Sequence, residues 1–210
     1  MLITEPYREQ IEHWPKSGRH ILAQFDDSTI VVYQAYRPEI GNYAVQHGKL
    51  GGPFSFSRMS WIKPNFLWMM YRSGWGTKEN QEMTLGLRIR RNFFDSILAV
   101  AVPSAWNPKL FASQQEWSRA VSHSSVRLQW DPDHHPSGAK LDRRAIQLGL
   151  RGEMLERLAQ QELVEVIDLS AFVAEQRLQR TGSLRDLVTP RERVYLPDDL
   201  SIASHLRLGE

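Results

Sequence analysis

The segment Arg58-Met-Ser-Trp-Ile-Lys-Pro-Asn-Phe-Leu-Trp-Met-Met-Tyr-Arg-Ser-Gly-Trp-Gly sets flat ring faces beside cations. Trp61, Trp68 and Trp75 recur every seven residues, Tyr71 joins them, and Arg58, Lys63 and Arg72 stand between. Tryptophan and tyrosine offer surfaces on which a base or nicotinamide ring stacks, worth ~1–3 kcal/mol per base. Arginine grips phosphate through two parallel hydrogen bonds and lysine meets it as a point charge. The chemistry implied is recognition of a ring joined to phosphates. Leu67, Trp68, Met69 and Met70 follow helical spacing and read as core, whereas Trp61 and Trp75 stand at the helix margins beside cations and read as candidate ligand contacts.

A second candidate is Gln129-Trp-Asp-Pro-Asp-His-His. Residues two apart on a strand share a face, so Gln129 and Asp131 are able to look into one site. Asp131, Asp133, His134 and His135 have the right types for a hard cation or for proton transfer. Adjacent histidines on one rigid element do not readily serve one metal, however, and the stretch reads first as a turn. No metal site is expected. Nor is there a glycine-rich phosphate loop or a Gly-x-Ser-x-Gly elbow.

The elements that must position these residues are legible in outline. Ile21 to Phe25 and Thr29 to Tyr36 flank the turn-forming Asp26-Asp27-Ser28 and predict a hairpin. Pro38 begins a short helix that stops at Gly48, and Phe54 to Trp61 reads as a strand. Pro64 suits a first helical position and Gly74 the residue past the end, which predicts a helix over 64–72. Thr84 to Arg91 alternates, with Leu85, Leu87 and Ile89 on one face and Arg88 and Arg90 on the other. Further helices are predicted after Asn92, from Ser113 to Val121, from Gly152 to Glu162 and from Ala171 to Arg180. Strands are predicted at Val126 to Trp130, Ala145 to Leu150 and Leu163 to Leu169. Without a strict strand-helix-strand repeat, this is an α+β pattern. One globular domain is expected over 1–210, with a mixed or mostly antiparallel sheet carrying packed helices, and 181–210 reads as a loosely packed C-terminal extension.

At 210 residues, 41% hydrophobic and 24% charged, the chain has the composition of one ordinary globular domain. The absence of cysteine excludes disulfides, thiol nucleophiles and zinc-thiolate sites. No apolar run approaches the ~20 residues that cross a bilayer, so no membrane partner and a cytoplasmic setting are expected. Formal net charge is only +2, yet Arg58 to Arg91 holds seven cations against Glu79 and Glu82, a local excess that attracts phosphate, nucleotide or nucleic acid.

Val31-Val-Tyr-Gln-Ala-Tyr, the Arg58–Trp75 segment, Val126-Arg-Leu-Gln-Trp-Asp-Pro-Asp, Arg144-Ala-Ile-Gln-Leu-Gly-Leu-Arg and Glu192-Arg-Val-Tyr together resemble the uncharacterised family called domain of unknown function 4291, over nearly the whole chain. That family name implies no reaction. A weaker, fold-level resemblance is to ADP-ribosyltransferases, from the order strand Ile30 to Tyr36, helix to Gly48, then an aromatic segment. It implies NAD as cofactor. Gln34 or Arg37 would then hold the dinucleotide, Tyr36, Trp61 or Tyr71 would stack on nicotinamide, and Glu82, Asp131 or Glu165 would stabilise charge at the ribose. Glu82 is the first choice, standing just before the arginine-bearing strand. The functional expectation is an enzyme acting on a nucleotide or nucleic acid, most concretely an NAD-dependent transferase. The alternative is a non-catalytic module that holds single-stranded nucleic acid on a basic aromatic surface; a third reading is a structural or partner-binding protein whose aromatics are all core.

Overall fold

The computed structural model describes residues 2–210. Strand β1 (Thr4–Pro6) and helix α1 (Tyr7–His13) lead to β2 (Gly18–Arg19), β3 (Ile21–Ala23), β4 (Thr29–Tyr36) and α2 (Pro38–His47). Then come β5 (Ser60–Ile62), α3 (Phe66–Ser73), β6 (Met83–Arg90), α4 (Arg91–Ala99), β7 (Val102–Pro103), α5 (Gln114–His123), β8 (Val126–His134) and β9 (Lys140–Leu150). The chain closes with α6 (Glu153–Arg157), which runs into a π-helical turn (Leu158–Glu162), then β10 (Leu163–Asp168), α7 (Ser170–Arg177), β11 (Val188–Pro190), β12 (Arg193–Tyr195) and α8 (Leu200–Leu206).

Two sheets carry the fold. One is antiparallel, in the order β10-β6-β4; the other runs β2-β9-β8-β7, with β5 on the same edge of β9 as β2. Only β2 with β9 and β7 with β8 pair in parallel, so the α+β class and the mixed, mostly antiparallel pairing stand. Strand β4 is buried on both faces: Ile30 and Val32 enter a core with Leu85, Leu87 and Ile89, while Val31 and Tyr33 enter a second core with Phe66, Met70 and Leu169. A strand with apolar packing on both sides must be apolar at every position, hence the unbroken Ile-Val-Val-Tyr run.

Several local expectations need correction. Ile21 to Phe25 and Thr29 to Tyr36 meet in a tight turn closed by the Asp26 carboxylate, which accepts from Ser28 N at 2.9 Å and Thr29 N at 2.7 Å. The hairpin they form is short: Phe25 and Ile30 make an antiparallel bridge and Val31 N donates to Gln24 O at 2.9 Å, while further along β3 pairs with β12 and β4 with β6. The strand foreseen over Phe54–Trp61 is confined to β5. Helix α3 starts two residues later than foreseen: Asn65 is its cap, accepting from Trp68 N at 2.7 Å, and Pro64 precedes the cap. Gly74 ends the helix in the left-handed region, φ 59°, as its type requires. Strand β8 continues through Pro132 to His134, with a register shift that absorbs the proline. Residues 181–210 contribute β11 to β1 and β12 to β3, and Leu187 and Tyr195 are fully buried. No helix among the described residues is long and apolar enough to cross a membrane.

Candidate functional site

Residues Ser60 to Lys63 tie the two sheets together. Ser60, Trp61 and Ile62 pair with Leu150, Gly149 and Leu148 of β9, and Lys63 exchanges both backbone hydrogen bonds with Tyr33 of β4, at 2.7 and 3.1 Å. Gly149 makes room for the strap, since a Cβ there would stand 2.6 Å from Met59 Sδ and 2.9 Å from Trp61 Cε2. Beyond the strap, helix α3 is held at its start by the buried carboxyl of Glu192, which accepts from Phe66 N at 2.7 Å and Asn65 Nδ2 at 3.3 Å. Burial pushes the Glu192 carboxyl well above the usual range, against the opposing pull of the Phe66 N–H.

Where strap, β4 and α3 meet, a cavity of about 540 Å³ opens. Arg37, Arg58, Lys63 and Arg72 all line it, together with Tyr36, Trp61 and Gln34, and no acidic residue does. Arg58 and Arg72 are exposed, and neither guanidinium has a hydrogen-bond or ion-pair partner among the described residues. Arg37 pairs loosely with Glu39 at 3.6 Å, both well exposed. Gln34 is buried with its amide fixed: Nε2 donates to Ser60 Oγ at 2.7 Å, and the Tyr36 hydroxyl donates to Gln34 Oε1 and lies 3.2 Å from Ser60 Oγ. Burial, opposed by the Ser60 hydrogen bond and the Arg58 charge, raises the Tyr36 hydroxyl far above its ordinary value, so this ring is a neutral phenol.

Lys63 differs from its neighbours. It is 5% exposed, and its Nζ reaches only the Trp61 carbonyl, at 3.4 Å. Burial, reinforced by the Arg72 charge and opposed by Asp131, pushes its amine down to about 7. A lysine buried without an ion-pair partner is uncommon, and a strongly shifted titrating group in a cleft is a candidate for a functional site.

The other candidates lie elsewhere. Asp131 does not line the cavity, though its charge acts on Lys63; its carboxylate is held by Gln129 Nε2 at 2.9 Å and Gln147 Nε2 at 2.8 Å. Gln129 lines a second cavity with Trp106, Trp130 and Arg207. Glu82 is exposed and turns back to accept from Asn80 N at 2.8 Å, while Asn80 and Gln81 themselves line the first cavity. Glu165 pairs with Arg88 at 2.9 Å on the β6–β10 ladder. Trp75 is 4% exposed and packs edge-on against Phe66. Tyr71 is exposed but stacks at 3.6 Å on the buried His134 ring and does not line the cavity.

The basic segment divides. Arg90 binds the Gln161 carbonyl and Glu162, and Arg91 binds Asp198 and Tyr195, so their charges are spent on the fold and the local excess is not one patch. Asp133 is buried in an ion pair with Arg143 at 2.6 Å. Among the described residues no group of His, Asp and Glu is arranged to hold a metal ion. Sequence reasoning missed Met59, Ser60, Asn80 and Gln81 as lining residues; for Met59 and Ser60 the available signal was their place between Arg58 and Trp61.

Fold and site together define a single-domain α+β protein with a cation-lined cavity where two sheets are strapped together. The chain belongs to the DUF4291 family, a domain of unknown function, whose profile matches residues 20–195 and so takes in every residue lining the cavity. A search of curated proteins finds no match to the chain.

Proposed function

We propose that the cavity binds a phosphate-bearing nucleotide and that the protein is a cytoplasmic enzyme acting on it, most concretely a transferase that uses NAD. The observation that carries this reading is the lining: four cations, three aromatic rings and no carboxylate around about 540 Å³, a size that suits a small ligand. In this reading the unpartnered Arg58 and Arg72 meet phosphate oxygens, and Trp61 or Tyr36 lies against a ring. Transfer of an ADP-ribosyl group also needs a carboxylate to stabilise charge as the glycosidic bond breaks. Glu82, next to the lining residue Gln81, and Asp131, whose charge acts on Lys63, are the candidates.

A concave site favours this reading over an open module for single-stranded nucleic acid, and Arg88 and Arg91 are turned into pairs with Glu165 and Asp198. Thermal unfolding with NAD, ATP, pyrophosphate and a short oligonucleotide tests the proposal, because a ligand selective for the folded state raises its midpoint. Stabilisation by NAD or ATP together with NAD consumption, lost in Glu82→Gln or Asp131→Asn, is the expected result. No stabilisation by any phosphorylated ligand refutes it.

A further inference from the structure

The chain has 20 arginines and only 6 lysines. Five of those lysines, Lys16, Lys49, Lys78, Lys109 and Lys140, are exposed; Lys63 alone is buried, at the wall of the cavity that carries Arg58 and Arg72. Its backbone is pinned to Tyr33 on both sides, and its Nζ spends itself on one long hydrogen bond to Trp61 O. A sequence that uses arginine for nearly every cation has put here the one basic side chain able to lose its proton and attack.

We propose that Lys63 is a nucleophilic amine, and that its Nζ forms an imine with the aldehyde carbon of a phosphorylated sugar whose phosphate is held by Arg58 and Arg72. The inference rests on the reading that the cavity takes a phosphorylated ligand, and deepens it: a ring-opened ribose phosphate is what a nucleotide leaves when its base departs. The lone pair of Nζ adds to the carbonyl carbon, and the carbonyl oxygen takes up the proton that nitrogen gives up. The carbinolamine then loses its hydroxyl, with one proton, as water while the C=N bond forms. One C=O bond is exchanged for one C=N bond and one water, with no oxidant or reductant. Tyr36 lines the same cavity as a neutral phenol. Imine formation also suits a lining with no carboxylate to hold a divalent cation.

The protonation state agrees. Burial and the Arg72 charge on α3 lower the amine to about 7, while Asp131 on β8 opposes them. A lysine in water titrates near 10.4, so at pH 8 the neutral fraction of an amine near 7 is roughly two hundredfold larger.

The experiment uses the full chain with ribose 5-phosphate as probe, sodium borohydride to reduce any imine, and mass spectrometry of the intact protein and its peptides. One adduct per chain on Lys63, suppressed by pyrophosphate and absent with unphosphorylated ribose, is expected. Lys63→Arg should abolish that adduct, since a guanidinium does not condense with the aldehyde, while Arg58 and Arg72 remain to hold pyrophosphate and its thermal stabilisation persists. Adducts spread over the exposed lysines with Lys63 unlabelled, in a protein that pyrophosphate still stabilises, would overturn the imine and leave the phosphate cavity standing. Equal labelling of Lys63 by unphosphorylated ribose would overturn the sugar-phosphate assignment. No stabilisation by pyrophosphate would overturn the cavity reading itself, and this inference with it.

Discussion

Replacing Lys63 with methionine should make the protein more stable, and by an amount that depends on pH. The two side chains have similar length, and the methionine neighbours Met59 and Met69 line the same cavity, so the volume change is small. The folded state holds the Lys63 amine at about 7 against an ordinary 10.5, chiefly through burial. Each pKa unit is worth about 1.36 kcal/mol, so keeping Lys63 protonated costs the folded state roughly 5 kcal/mol, an upper figure because water entering the open cavity relieves part of it. The folded-state value lies below the unfolded one, so between the two the unfolded chain binds the extra proton. Wild-type stability therefore rises with pH across that window through this group. The penalty is complete below pH 7, falls by about 1.4 kcal/mol per pH unit above it, and is gone past the unfolded value. Urea denaturation of wild type and Lys63→Met from pH 6 to pH 9.5 reads the difference directly, and groups common to both proteins cancel. The variant should be several kcal/mol more stable at pH 6, with the gap closing toward pH 9.5. A variant less stable by the same amount at every pH would show that Lys63 is paired in solution, and would refute the unpaired buried amine.

Asp133→Asn leaves the Arg143 guanidinium, 6% exposed at its side chain, without its anion; breaking such a buried pair should cost about 3–5 kcal/mol in denaturant unfolding, and a loss below about 1 kcal/mol would contradict the pairing. Trp61→Ala should weaken nucleotide binding in calorimetry by ~1–3 kcal/mol of stacking with little change in melting temperature, because Trp61 is half-buried on the cavity wall. Gly149→Ala should destabilise by about 1–3 kcal/mol and shift the Trp61 fluorescence, since the added Cβ overlaps Met59 and Trp61. Binding of pyrophosphate should fall only shallowly with salt, whereas an open nucleic-acid surface would give a steep linear loss in log affinity against log salt.

Much of the cavity is legible because it is local. Arg58, Trp61, Lys63 and Arg72 fall within fifteen residues, on a short strap and the helix that follows it. Tyr36 and Gln34 are legible as strand positions, and it takes the Lys63–Tyr33 bridge to bring them to the same cavity. Several carboxylates are placed by pairings that reach across the fold. Glu165 meets Arg88 across a ladder, Asp133 meets Arg143 across a hairpin, and Glu192 travels 126 residues to the start of α3.

By itself the sequence determined the apolar periods of β4, β6 and α3, the stop of α3 at Gly74, and the clustering of cations with rings, all consequences of geometry within a few residues. Tertiary structure alone decided that Ile21–Ala23 pairs with β12, that Trp75 turns inward while Trp61 stays at the cavity, and that Lys63 is buried to 5% exposure at the cavity wall. Those outcomes depend on which surfaces finally meet: a strand's hydrogen bonds accept any partner edge, and desolvation of an amine is set by everything packed around it.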